Sequence, residues 1–517
     1  SLPGNPPPCP AKPQVTPGDE VTFRIEKVIP SSDAENLTIQ DWLPLPIFDV
    51  ADPDADSING PPWNFTSTAC GILTPGQACL GPSDTLHTLP VSPTFTFDAT
   101  TNSLKFDYGT FNDPTNTPRK IDLLFTVTAT NDPFADGLFL TNQAQECEKN
   151  TFNMTFCQTA IAQVQMAEPK LRIIKGVVAS DNPNAIFSPA APPSGTFTPP
   201  GGSCPRFNGT INSSNIGSLN LNSNISNVDA HDKITFAIVV ENQGSSPNGV
   251  FDVKIRDIFP LDPTDRPSCF VPDFNTLCVT DGAGIPIPFT VSPSGFGSVI
   301  IELTDSGPTG ALGPFHPTNG KNIVVITFDA QLLGDIKSGC CDNRARLENY
   351  SNTEGGPNFV AAGLGGPFED TAQACVGPRP FAKCIQTTSE VHTTAQSASQ
   401  GGTVDAAIGE IVRYRLITVI PEGTTLGFQI QDFLPPGLTY LPGTARVVFV
   451  ADSSVTSGNA FWPTVPGPNP PQCPGPPTPT GNLLEGGGPF TPGAGVDPIF
   501  FVGVQSLPIT NNDNDPD

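Results

Sequence analysis

Apolar and polar residues alternate in three similar stretches of the chain, and each stretch predicts a β-strand. The alternating apolar residues are Val21, Phe23 and Ile25 in the first stretch, Ile234, Phe236 and Ile238 in the second, and Val412, Tyr414 and Leu416 in the third. A turn rich in Pro, Gly, Asn and Ser follows. A second strand then ends in Asp, an apolar or aromatic pair and Pro, and its aspartates are Asp41, Asp257 and Asp432. The chain therefore contains three copies of one unit.

The spacing between copies is far longer than a solenoid repeat and fits a β-sandwich with large loops. Further strand-like phrases recur in the same order in the first two copies, which makes a unit of about seven strands, the size of an immunoglobulin-like sandwich. We predict an all-β protein of tandem immunoglobulin-like β-sandwich domains with long Pro/Gly/Asn-rich loops. The predicted domains are unit one (residues 1–166), unit two (167–377) and unit three (378–517).

Two segments depart from the repeat. Residues 179–230 of unit two form a low-complexity, Pro- and Asn-rich insertion without a core-forming pattern, which predicts an exposed flap. Unit three stops at Asp517, and the two strands that should follow there, by comparison with units one and two, are absent from the given sequence. Because a sandwich without two strands exposes unpaired edges, either the natural chain continues or another chain supplies these strands.

Composition narrows the class further. The 61 Pro and 49 Gly disfavour long helices. The net charge of −26 argues against a nucleic acid or an anionic membrane as a partner, because both are polyanions. No apolar run reaches the length of a membrane span, so membrane insertion is not expected. The start at Ser1, without a Met or an apolar leader, suggests a processed form or an excised portion.

The chain has 13 cysteines, which favours disulfides and an oxidising, extracellular compartment. Cys70 and Cys79 in unit one have the same separation as Cys269 and Cys278 in unit two, which predicts a repeated local disulfide. The alternative is zinc, but CxxC and close Cys/His pairs are missing from the sequence. The odd count leaves one thiol for a bridge to another chain or to a further part of this one.

Catalytic signals are weak. The four histidines are scattered over different units, with no nucleophile motif nearby, so we expect no enzymatic activity. Asp52, Asp54 and Asp56 stand at alternate positions of an acidic turn and are candidate ligands for Ca²⁺, the only cofactor that we consider. The loop lacks the Glu of an EF-hand, and an ordinary acidic turn is the alternative reading.

Seven sequons are candidates for N-glycosylation, and ordinary polar loops are the alternative interpretation. Their asparagines are Asn36, Asn64, Asn153, Asn208, Asn212, Asn224 and Asn349.

The phrases "GEIVRYRL", "QIQDFLPPGLTYLPGT", "EPKLRIIKGVV" and "LTNQAQ" resemble the immunoglobulin-like conserved repeat of prokaryotic cell-surface and fimbrial proteins, some of which form intramolecular isopeptide bonds. In those members a Lys on the first strand joins an Asn on the last, assisted by an Asp. The resemblance implies Lys175, Asn343 and Asp257 as the matching residues of unit two. Unit one has no clear first-strand Lys, and Gln386 aligns with the lysine position in unit three.

These features predict a structural subunit of an extracellular filament, sheath or cell-surface appendage, assembled by strand complementation. Its partner would be a further copy of itself, as a homopolymer, or a neighbouring surface protein. The composition is also similar to that of mastigonemes, the glycoprotein hairs of flagellated algae and protists. The alternative function is a cell-surface adhesin, or a glycan- or protein-binding ectodomain with an immunoglobulin-like stalk.

Overall fold

The computed structural model describes most of units one and two and separate strands of unit three. The described residues are 13–29, 34–50, 63–66, 77–80, 86–88, 94–111, 119–264, 266–295, 297–334, 336, 338–377, 381–389, 406–418, 423–425, 429–445, 448–451, 455–457, 482–485, 498–500 and 509–511. They form strands, turns and one short 3-10 helix, Ile216–Ser218, and they contain no α-helix. The predicted all-β class is confirmed. Over the same ranges, no helix is long and apolar enough to cross a membrane.

Unit one is built from two facing sheets. Its strands are β1 (Gln14–Val15), β2 (Glu20–Ile29), β3 (Ala34–Trp42), β4 (Trp63–Thr66), β5 (Gln77–Leu80), β6 (Leu86–Thr88), β7 (Thr94–Asp98), β8 (Ser103–Phe111), β9 (Arg119–Thr128), β10 (Phe139–Lys149) and β11 (Thr155–Met166). One sheet has the order β1-β11-β10-β3-β8-β7, and the other has the order β2-β9-β5-β6, with β4 also paired to β9. Alternate residues of both sheets are buried between them, as the sequence pattern predicts.

Unit two also has eleven described strands in two facing sheets. They are β12 (Leu171–Ser180), β13 (Ile186–Ser188), β14 (Asn224–Val228), β15 (Lys233–Asn242), β16 (Phe251–Ile258), β17 (Phe270–Asp281), β18 (Phe289–Pro293), β19 (Ser298–Leu303), β20 (Ile323–Leu332), β21 (Gly339–Ser351) and β22 (Glu369–Val376). The sheets have the orders β12-β15-β20-β17 and β13-β14-β22-β21-β16-β19-β18. Their inner faces share one large apolar core.

Unit three is described as short paired strands. They are β23 (Phe381–Thr388), β24 (Val412–Thr418), β25 (Gly423–Thr425), β26 (Ile430–Gln431), β27 (Val448–Ala451), β28 (Val455–Ser457), β29 (Asn482–Glu485), β30 (Ile499–Phe500) and β31 (Ile509–Asn511). Strand β23 pairs with β24, and β26 pairs with β30. That two final strands are absent from unit three stays a prediction.

The insertion of unit two corrects the prediction of an exposed flap. Much of residues 179–230 packs against the outer face of the β15–β20 sheet. This second core includes Phe207, Ile211, Ile216 and Leu221 from the insertion and Ala237, Val239 and Val325 from the sheet. Arg206, only 1% exposed, fastens the segment by donating to Asp329 at 2.8 Å. The irregular spacing of its apolar residues suits a loop that covers a sheet, a possibility that strand and helix periodicity does not reveal.

Candidate crosslinking site

Strands from both sheets of unit two bring Lys175, Asp257 and Asn343 together. Lys175 lies in the middle of β12, opposite Ile238 of the neighbouring strand β15. Asp257 lies on β16 and pairs in register with Ala345 of β21. Asn343 precedes Ala345 by two positions, so it faces the same side of its strand as Ala345. All three predicted site residues have 0% exposure.

The contacts within this cluster are incomplete. The Lys175 Nζ contacts Asp257 Oδ1 and lies 5.4 Å from the ring centre of Phe236 and 5.6 Å from that of Phe328. Both polar atoms of the Asn343 amide, and Oδ2 of Asp257, are buried, and no partner lies in hydrogen-bonding geometry to any of them. An orphaned buried amide is costly, so its retention beside a lysine needs an explanation.

Burial moves both ionisable groups toward their neutral forms. Desolvation lowers the pKa of Lys175, although the negative charge of Asp257 opposes this shift. Desolvation also raises the pKa of Asp257, against the influence of Lys175 and of the Asn343 amide. A neutral lysine amine is a nucleophile, and a protonated carboxyl can polarise an amide carbonyl. The cluster therefore has the groups that amide formation needs.

Unit three contains a related pair that corrects the sequence alignment. The lysine position is occupied by Lys383, not by Gln386. Lys383 lies opposite Leu416 of β24, its Nζ contacts Asp432 Oδ1, and it lies 4.3 Å from the ring centre of Tyr414. The Lys383 side chain is 31% exposed and that of Asp432 is 9% exposed. The described residues of unit three include no counterpart of β21.

Unit one has the acid and the amide without the lysine. Asp41 on β3 pairs in register with Ala144 of β10, and Asn142 precedes Ala144 by two positions, as in unit two. Burial raises the pKa of Asp41 to about 7, although a hydrogen bond with Asn142 opposes the rise. Oδ1 of each residue is buried without a partner. The lysine on β2, Lys27, instead pairs with Glu146 at 2.8 Å.

Four disulfides join described cysteines, and they correct the predicted pairing. Cys269 bonds to Cys341, and Cys278 bonds to Cys204 of the insertion, so these two cysteines do not bond to each other. The equal spacing of cysteines misled the prediction because it says nothing about which strands are neighbours in space. The other disulfides are Cys340–Cys375 and Cys147–Cys157. Cys70 and the side chain of Cys79 lie outside the described residues.

The remaining candidate sites are only partly described. Asp52, Asp54 and Asp56 lie outside the described residues, as does the side chain of Asn64. Three other sequon asparagines are exposed: Asn36, Asn153 and Asn208. The last three are partly buried and use their side chains in hydrogen bonds to backbone groups: Asn212, Asn224 and Asn349. Glycosylation stays a prediction.

A different acidic group, not predicted from sequence, brings Asp252, Asp305 and Glu354 within 4.8 Å of one another. The neighbouring carboxylates raise the pKa of Glu354, with Asp305 the main cause. Because this group is partly exposed, and Asp252 and Asp305 accept backbone hydrogen bonds, it is also consistent with ordinary loop structure.

No family model matches the chain, and no curated protein matches it. Among solved structures, the chain is similar to the C-terminal domain of the AgI/II polypeptide BspA of Streptococcus agalactiae, at 9% identity and a TM-score of 0.23, over 70% of this chain and 95% of that chain. It is also similar to the major pilin SpaD of Corynebacterium diphtheriae, at 10% identity and a TM-score of 0.24, over 69% of this chain and 63% of that chain. A third similar structure is BcpA, the major pilin subunit of Bacillus cereus, at 7% identity and a TM-score of 0.21, over 57% of this chain and 64% of that chain. Similarity at this level does not establish a shared family or function.

Proposed function

We propose that this protein is a structural subunit of an extracellular filament, sheath or surface appendage. The observation that carries the proposal is the arrangement, in unit two, of the buried Lys175 cluster and the Cys340–Cys375 disulfide. The chain enters the unit at β12 and leaves it at β22. Lys175 on β12 lies in the cluster that holds Asn343 of β21, and Cys340–Cys375 joins β21 to β22. Such a path suits a domain that carries tension between its two ends.

The proposal includes an amide bond between Lys175 and Asn343. The neutral Lys175 amine attacks the Asn343 side-chain carbon while protonated Asp257 polarises the carbonyl oxygen. The new bond joins Lys175 Nζ to Asn343 Cγ, the bond from Cγ to Nδ2 breaks, and Nδ2 leaves as ammonia with protons passed through Asp257. No oxidant or cofactor is needed. This amide and the Cys340–Cys375 disulfide would then connect β12 to β22 directly, so tension would bypass the strands between them.

The disulfides support an extracellular setting, because they persist in oxidising compartments. Cys340 and Cys341 are adjacent and bond in different directions. Cys340 joins the neighbouring strand of its own sheet, whereas Cys341 joins Cys269, which directly precedes β17 of the opposite sheet. One disulfide thus links two strands within a sheet, and the other links the two sheets.

The junction between units one and two is also firmly held. Oδ1 of Asp136 in unit one accepts hydrogen bonds from the Glu168 amide at 3.0 Å and from the Ser245 hydroxyl at 2.6 Å. These hydrogen bonds tie Asp136 of unit one to the start of unit two and to the loop that contains Ser245.

Negative-stain electron microscopy of the native protein, taken from its source without denaturant, tests the proposal. Regular fibres whose repeat matches a few sandwich lengths are expected. Single beaded particles under the same conditions would contradict an assembling subunit.

A second candidate function, an adhesin, is favoured by the outer face of β10 and β11. This face has uncharged hydrogen-bonded pairs although the whole chain is strongly acidic: Gln163 donates to Thr141 at 3.0 Å, and Gln145 donates to Thr159 at 3.4 Å. Ile161, 65% exposed, lies beside them. A neutral glycan could bind such a surface through its hydroxyl groups and apolar ring faces. Binding on a glycan array that is lost in Ile161→Asp would support this function.

A further inference from the structure

A second aspartate, Asp370 on β22, lies in line with Asp257 across the sheet. Ala345 of β21 pairs in register with Asp257 of β16 on one side and with Asp370 on the other. Side chains that lie opposite each other on neighbouring strands share one face of a sheet, so Asp370 is directed inward, as Asp257 is. The two aspartates are two strands apart, which is about 10 Å, and the small side chain of Ala345 lies between them.

Lys175 spans the distance between these two aspartates. Its backbone N–H donates to Oδ2 of Asp370 at 2.7 Å, and its Nζ contacts Oδ1 of Asp257. One aspartate therefore holds the backbone of the lysine, and the other holds its amine. The lysine side chain passes Ala345, which is 0% exposed, and a larger residue at that position would compete with the lysine for the same space.

The hydrogen bond to Asp370 replaces one that a neighbouring strand would normally supply. In its sheet, β12 pairs with β15, and alternate N–H groups of β12 point away from that strand. The N–H groups on either side of Lys175 donate to backbone carbonyl oxygens: that of Ile173 to Pro367 at 3.0 Å, and that of Val177 to Ser223 at 2.7 Å. Between them, a side chain, that of Asp370, is the acceptor at the lysine itself.

Unit one differs from unit two at this position. Asp41 pairs with Ala144, and Ala144 pairs with Ala160 of β11, so Ala160 corresponds to Asp370. Both units have the inward aspartate and asparagine of the site, but the sequence of unit one has no clear first-strand lysine. The second aspartate thus occurs together with the lysine, and the sandwich framework of unit one forms without it.

We propose that Asp370 is a positioning residue for the amide bond between Lys175 and Asn343. It fixes the backbone of β12 at the lysine, so that the amine reaches past Ala345 to Asp257 and Asn343. Asp370 acts through the lysine backbone and has no part in the bonds that form and break. The proposal rests on the crosslink of the proposed function. Because a misplacement of about 1 Å can slow a reaction about 100-fold, the loss of this anchor should be visible in the rate.

The test measures how fast the crosslink forms. The full chain is synthesised in a cell-free system under oxidising conditions, and timed aliquots are digested with trypsin and analysed by mass spectrometry for the branched Lys175–Asn343 peptide. Asp370→Ala should form it at least about tenfold more slowly than the wild type. Asp370→Asn keeps an oxygen that accepts the Lys175 N–H, so its rate should stay within about threefold of the wild-type rate. Digestion without reduction reports Cys269–Cys341 and Cys340–Cys375, so only chains with a folded unit two are compared.

Glu369→Ala is the matched control. It removes the neighbouring carboxylate of β22, which is 44% exposed and pairs with Arg344, and it should leave the rate unchanged. If Asp370→Ala yields no chains with both disulfides, Asp370→Glu replaces it, because its displaced carboxylate should slow the reaction relative to Asp370→Asn.

Two results would overturn the role of Asp370 alone. One is a wild-type rate in folded Asp370→Ala or Asp370→Glu, and the other is an equal slowing in Asp370→Asn and Asp370→Ala. A wild type that gives no branched peptide would instead contradict the crosslink itself, and the role of Asp370 with it.

Discussion

Lys175 and Asp257 form a lysine–carboxyl contact between the two sheets of unit two, and neither side chain has any solvent exposure. Desolvating two such groups costs several kcal/mol, and only a close, well-supported contact compensates for it. The Asn343 amide, whose polar atoms are buried without a hydrogen-bond partner, is the third group of the crosslinking reaction that we propose.

The first prediction concerns that reaction. Trypsin digestion of the reduced wild-type chain should release a branched peptide that joins Lys175 to Asn343, lighter by one ammonia than its two linear components. Asp257→Ala should release linear peptides only, because the group that polarises the carbonyl is gone. Tandem mass spectrometry distinguishes these results. Linear peptides of full mass from the wild type would exclude the bond.

The second prediction separates the contact between Lys175 and Asp257 from the crosslink. Lys175→Met removes the crosslink and leaves the buried Asp257 carboxyl without its lysine partner, so it should destabilise unit two by at least about 1–3 kcal/mol. The double variant Lys175→Met/Asp257→Leu also lacks the crosslink but contains no unpaired buried carboxyl, so it should recover part of this loss. Hydrogen exchange of β12 and β15 measures both. Equal protection in the two variants would show that the lost crosslink explains the whole effect.

This cluster was predicted through the resemblance to the immunoglobulin-like conserved repeat, whose lysine, asparagine and aspartate positions match residues of unit two. Asp257 ends a strand whose phrase appears three times, and Lys175 and Asn343 lie on strands readable from alternation. Lys383 was missed because its place depends on the register of β23 against Leu416, and the residues of β23 alone do not encode that register.

The sequence does contain a signal that a segment covers the outer face of the β15–β20 sheet. The outward positions of β15 are Ala237 and Val239, whereas the matching positions of β2 are Arg24 and Glu26. An apolar outer face implies a covering segment, and the insertion supplies it. The partners of Cys269 and Cys278 had no such signal, because they depend on the three-dimensional arrangement of distant strands.

The third prediction is a pH dependence in unit one. Burial raises the pKa of Asp41 to about 7 in the folded state, from an ordinary value of 3.8. The folded state therefore binds a proton more tightly than the unfolded state, so this group's contribution is most favourable below pH 4 and is lost as the pH rises toward 7. The loss approaches about 4 kcal/mol. Asp41→Asn should match the wild type near pH 4 and be more stable at pH 7.5.

Hydrogen exchange of β3 and β10, corrected for intrinsic rates, provides the measurement. Asp107→Asn is the control, because it makes the same change at a side chain of β8 that is 43% exposed. A constant difference between Asp41→Asn and the wild type from pH 4 to 7.5 would contradict a raised pKa.

The fourth prediction tests how the insertion of unit two is fastened. Arg206 donates to both oxygens of Asp329, at 2.8 and 3.3 Å, and to Thr235 at 3.2 Å, while it is 1% exposed. Arg206→Met should destabilise the insertion and its sheet by about 3–5 kcal/mol, because Asp329 stays buried without its cation. Arg344→Met is the matched control: its pair with Glu369 is 3.3 Å long and 46% and 44% exposed, so its loss should cost less than about 1 kcal/mol. Limited proteolysis should cut the 190–210 segment much faster in Arg206→Met only, since unfastening the loop exposes its backbone to the protease. Equal cleavage rates in the two variants would show that the Cys204–Cys278 disulfide and the apolar contacts of Phe207 and Ile211 hold the segment without the arginine.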